Sequence, residues 1–134
     1  MTLSINAWLL NKIDQYKFSV RDATIDFYMA EAALKRTGCD IEHLKRYNSV
    51  SLNMANLCQE NGDDESYLHA LSKLHNRLIM EINNPDRCQL FRVQSYHFAR
   101  HTLQLICHQY AIEGTWDKAN AFQKDFVKRV PFQL

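Results

Sequence analysis

His97, His101, Gln104 and His108 recur at spacings of four, three and four residues. On a helix, that spacing places all four in one stripe. His97 and His101 stand at i and i+4, so both imidazoles point the same way, as a divalent metal requires of a helical pair. Such a site needs a third ligand, and His75, from a separate segment, is the candidate. No glutamate accompanies the pair in an H-E-x-x-H arrangement, so the general base of a metal-dependent hydrolase is missing. The stripe reads either as a polar face of its helix or as one wall of a ligand pocket. No metal or cofactor is expected from it.

His75 lies four residues after Leu71 and three before Leu78, which puts it on the core side of its helix. A histidine there is ordinarily a hydrogen-bonded core residue. In a bundle with an internal cavity it becomes a ligand contact. Arg92 can meet a carboxylate through two parallel hydrogen bonds. The expected ligand-binding set is therefore His75, Arg92, His97, His101 and Gln104, with no catalytic residue. No glycine-rich phosphate loop or G-x-S-x-G nucleophile turn is present. Cys39, Cys58, Cys88 and Cys107 stand far apart with no C-x-x-C pair. They read as reduced, mostly buried thiols of a cytoplasmic protein.

The elements that must position these side chains are helical. Apolar residues repeat at three and four, and no stretch alternates as a strand does. Six helices are expected. The first is short, about 5–15, with Trp8, Leu9 and Ile13 on its apolar side. The second starts on Ser19 as N-cap, carries Ala23, Phe27, Ala30 and Leu34, and closes at Gly38. The third, capped by Asp40, carries Leu44, Tyr47, Val50, Met54 and Leu57 and stops at Asn61-Gly62. The fourth opens on Asp63, Asp64 and Glu65, carries Tyr67, Leu71, Leu74 and Leu78, and ends before Asn84-Pro85. The fifth runs from about Asp86 to Glu113 with Tyr96, Ala99, Leu103, Ile106 and Tyr110 inward. The sixth, capped by Thr115, carries Trp116, Ala119, Phe122 and Phe126 and stops at Pro131. The expectation is a single all-α domain, a bundle with short connections.

Composition bounds the function. A chain of 134 residues suits one domain. Its 3 glycines and 2 prolines argue against disorder and against a turn-rich sandwich. Sixteen basic against fifteen acidic residues leave a net charge of +1, without the basic excess of a phosphate-gripping domain. Direct nucleic-acid binding is not expected. No apolar run approaches the roughly 18 residues of a membrane helix, and Met1–Leu10 has no basic region before its short apolar stretch.

Three resemblances follow from the residues. The run Gly62–Pro85, GDDESYLHALSKLHNRLIMEINNP, resembles the FCD-type effector domain of the GntR family of bacterial transcription regulators. Gly62-Asp63 matches that family's Gly-Asp turn and Tyr67 its aromatic. Leu74-His75 matches its Phe-His pair, and Asn84-Pro85 its Asn-Pro. Arg21 and Asp26 upstream, and Ala111–Gly114 with Lys118-Ala119 downstream, are compatible. The family's metal-ligand positions fall on Leu71, His75, Gln104 and Phe126, so only His75 is retained. Its DNA-binding winged helix has no counterpart. The resemblance implies a non-enzymatic regulatory domain, binding a small effector or a partner protein, and a homodimer. The segment Tyr96–Phe122 resembles a TPR helix pair, which implies an adaptor or secretion-chaperone type of protein. Arg92 and His97 resemble the R-x4-H motif of HEPN-type ribonucleases, a remote alternative. The first two classes differ in their surface. An adaptor exposes an apolar groove or patch, whereas an effector domain encloses a polar-lined cavity.

Overall fold

The computed structural model describes residues 4–36, 38 and 40–131. It is built of helices: α1 (Ile5–Arg36), α2 (Ile41–Glu60), α3 (Asp64–Ile82), α4 (Gln89–Ile112) and α5 (Trp116–Arg129). No strand occurs among the described residues. Five helices replace the expected six because the first two are one. No glycine or proline interrupts residues 5–36, so nothing in the backbone stops the helix at Ser19. Apolar side chains also keep their register through the join. Leu9, Ile13, Tyr16, Val20, Ala23, Phe27, Ala30 and Leu34 follow at alternating spacings of four and three. That is a single heptad-like face.

Short connections make the helices pack in chain order, α1 on α2, α2 on α3, α3 on α4 and α4 on α5, with a smaller contact between α2 and α4. The turns are set locally. Asp40 accepts the Glu42 amide (3.0 Å) at the start of α2. Gly62 has φ +74°, a conformation an L side chain resists, and Asp63 then caps α3 by accepting the Ser66 amide (3.2 Å). Gly114 (φ +76°) closes α4 in the same way. Thr115 makes no side-chain cap. Its hydroxyl donates instead to the Tyr110 carbonyl (3.1 Å). α4 begins three residues later than expected, because Asn84 Oδ1 accepts the Asp86 amide and holds a turn after Pro85.

The core has two parts. The larger gathers Phe27, Leu34, Tyr47, Leu78, Ile82 and Phe91 at one end, and the smaller gathers Ala55, Cys58, Tyr67, Leu71 and Ile106 at the other. The expected face of α3 holds throughout. Along α2 the deepest residues past Tyr47 are Ser51, Ala55 and Cys58, with Val50, Met54 and Leu57 only half-buried. Along α4 they are Phe91, Ser95, Ala99, Thr102, Ile106 and Gln109. Small and hydroxylated residues take the inner positions where helices approach closely. Ser95 and Thr102 stay satisfied there by donating to the carbonyls of Phe91 and Phe98, each at 2.9 Å. Cys58 is buried, Cys107 half-buried and Cys88 exposed, and these three form no disulfide with one another. Cys39 lies outside the described residues.

Candidate functional site

The residues expected to share a pocket do not converge. His97, His101, Gln104 and His108 are all exposed, on the side of α4 opposite its buried face. His75 is fully buried on α3, 5.8 Å from the Phe126 ring and 6.2 Å from that of Phe122. Neither of its nitrogens has a partner within bonding geometry. The Ala99 carbonyl lies near enough to favour the protonated ring without accepting a formed bond. Burial dominates and holds the His75 pKa below its usual value, so the ring is neutral. Arg92 is half-buried and donates from Nε to the Ile82 carbonyl (2.6 Å), closing the end of α3. Its guanidinium and His97 thus serve different surroundings. Among the described residues no group of three or more His, Cys, Asp or Glu could hold a metal.

Two other places carry shape and charge. The first is an ionic knot that the sequence reading missed. Glu81 and Arg87 are 4% and 7% exposed, and Arg87 Nε donates to Glu81 Oε2 (2.5 Å). Arg77 Nε donates to Glu81 Oε1 (3.1 Å). Arg87 also donates to the carbonyls of Leu34 (2.8 Å) and Gly38 (3.1 Å), and its guanidinium lies 4.4 Å from the Phe91 ring centre. Arg87 thereby ties the end of α1 to the turn between α3 and α4. Above the knot opens a cleft of about 630 Å³ rimmed by Lys35, Arg77, Arg87 and Arg129. In the sequence only the i,i+4 spacing of Arg77 and Glu81 marks the knot, and that spacing is common on exposed helices.

The second place is α1. Its lower half buries Phe27, Ala30 and Leu34, but the helix is exposed elsewhere over an unusual amount of apolar surface. Ile5, Trp8, Leu9, Leu10, Ile13, Phe18, Ile25, Tyr28 and Met29 are each 44–76% exposed. They are nine of the fourteen large hydrophobic residues exposed among the described residues. Between α1 and α3, with α2 as floor, runs a groove of about 440 Å³. Tyr16, Val20, Thr24 and Tyr28 line one wall, Ser66, Ala70 and Lys73 the other, and Met54 and Cys58 the base. The Tyr16 hydroxyl bridges its end by donating to Asp63 Oδ2 (3.1 Å). Burial first, then Cys58 and Asp63, push the Tyr16 pKa well above the usual phenol value, so it remains a donor. Lys73 lies across the rim, its Nζ 4.7 Å from the Phe27 ring centre and 5.8 Å from that of Tyr28. Lys17 adds a second cation along the groove, and Asp63 a carboxylate at its end.

No helix among the described residues is long and apolar enough to cross a membrane. No family model matches the chain, and no curated protein or solved structure matches it either.

Proposed function

We propose that this protein is a non-enzymatic, cytoplasmic regulatory module that forms a homodimer and acts by binding a partner protein through α1 and the groove beside it. The observation that carries the reading is the groove beside α1, floored by Met54 and walled by Val20, Tyr28 and Ala70, with Lys17 and Lys73 along it. Contiguous apolar surface bordered by polar residues is what protein-binding surfaces expose. The groove has the form that receives an amphipathic helix, apolar within and with Lys17 and Lys73 along its sides. The partner segment is therefore a helix with an apolar face and an acidic flank, set against Lys17 and Lys73. The resemblance of Gly62–Pro85 to an effector domain supports the regulatory role. The absence of convergence between Arg92 and His97 weighs against the ribonuclease alternative.

The test uses Lys73→Glu combined with Tyr28→Ala. Both positions are exposed, so folding should be preserved. Tagged protein is used to capture partners, which mass spectrometry identifies. A protein held by the wild type and lost from the double variant is the expected result. An identical captured set from both would overturn the reading.

A second reading has its own observation. The cleft suits a small anionic effector, since Lys35, Arg77, Arg87 and Arg129 line it with Glu81 as its one carboxylate, while Lys35 and Arg129 pair with Glu31 and Asp125. Native mass spectrometry before and after denaturation, with metal analysis alongside, tests it. A co-purifying small acid whose binding falls in Arg129→Ala supports this reading, and an empty protein counts against it.

A further inference from the structure

The face of α1 that packs on α2 does not end where α2 ends. The hydrogen bond from Tyr16 to Asp63, just past the end of α2, places the top of α2 level with Tyr16. Residues 5–15 continue beyond it for about three turns, roughly 16 Å of helix. Every residue from 4 to 15 is exposed. Yet Ile5, Leu9 and Ile13 hold the register of Tyr16, which meets Cys58 of α2, and of Phe27, whose ring lies 5.5 Å from that of Tyr47. Trp8 and Leu10 flank them. Among the described residues this stretch is a helix-packing face without a helix on it.

We propose that its occupant is the same stretch of a second copy, packed antiparallel, with Leu9 and Ile13 of the two chains at the centre. The proposal rests on the homodimeric part of the proposed function and names the surface that makes it. Three features favour a second copy. The first is geometry. Below Tyr16 the face is already covered by α2, so a parallel α1 would collide with it. An antiparallel copy runs the other way and carries its own body away from α2, and each overhang then fills the space above the other's α2. This is an isologous, closed contact. The second is charge. Lys12 and Asp14 are the only charged side chains in residues 5–15, so the stretch is neutral and does not repel itself. The third is area. Five apolar side chains at 44–76% exposure offer at most roughly 500 Å² per copy, about 1,000 Å² for the pair, the lower bound for a specific interface.

The experiment is sedimentation equilibrium of the full chain across the micromolar range, together with fluorescence of a Trp116→Phe variant. That variant leaves Trp8 as the only tryptophan. The expected results are a species of twice the chain mass and Trp8 emission that moves to the red on dilution. Leu9→Lys and Ile13→Lys should each weaken the dimer at least about tenfold, with unchanged circular dichroism. Phe18→Lys, on the other side of α1, should leave the dimer intact. A monomer at every concentration would overturn both this contact and the dimeric reading, while the groove stays under its own test. A dimer indifferent to Leu9→Lys and Ile13→Lys, with constant Trp8 emission, would overturn this contact alone.

Discussion

At the residue scale His75 shows how one side chain reads differently in sequence and in space. Its spacing from Leu71 and Leu78 placed it inward, and it is fully buried. Burial lowers its pKa, Arg129 adds to that lowering, and the Ala99 carbonyl and Asp125 oppose it. The unfolded chain therefore takes up a proton near pH 6.5 that the folded chain resists. Stability is full above that pH and is lost as pH falls below it. Urea titrations at neutral pH and at pH 5 should show the loss, and His75→Leu should flatten it. Because both nitrogens lack partners, His75→Leu should cost little at neutral pH. The Glu81–Arg87 pair behaves in the opposite way. Arg87→Met alone leaves a buried carboxylate with one fewer partner and should cost about 3–5 kcal/mol. Replacing Glu81 and Arg87 together with apolar residues should recover most of that. A double-mutant cycle in urea measures both.

At the element scale the long α1 was legible in its parts and not in its whole. Ser19 is a good N-cap residue, and local preference alone allows a break there. The continuous face from Leu9 to Leu34 decides otherwise, because α2 covers its lower part as one surface. A substitution separates the two arrangements. Proline is tolerated at the first position of a helix, so Val20→Pro would be mild if Ser19 were a cap. In the continuous helix it removes a bond to the Tyr16 carbonyl. It should then cost about 3 kcal/mol more than Val20→Ala, read from urea midpoints. The histidine stripe on α4 is the converse case. Its spacing was evident, but its direction depended on which face of α4 met α3 and α5. Ser95, Thr102 and Gln109 carry no hydrophobic signal, so the buried face was only partly visible.

At the scale of the whole molecule, the helices pack in chain order and leave α1 at one end of the row, with α2 as its main neighbour. That position explains why its other faces are exposed. It also separates the surfaces assigned above, the overhang for a second copy and the groove for a partner helix. The two should act independently. Leu9→Lys should reduce dimerisation without changing which partner is captured, and Lys73→Glu with Tyr28→Ala should do the reverse. Sedimentation and capture on the same preparations check this.

The all-α class, the turns at Gly62 and Gly114, the Asp40 cap, the acidic start of α3 and its buried face are legible in the residues alone. These follow from local chemistry, in which backbone freedom, capping donors and apolar period act within a few residues. Tertiary packing decided that the histidines of α4 face solvent, and that Arg87 reaches Glu81 and the end of α1. It also decided that α1 outruns α2. Each of these depends on which helix lies against which and where it stops. That is a property of packing between distant segments, and no local window of residues carries it.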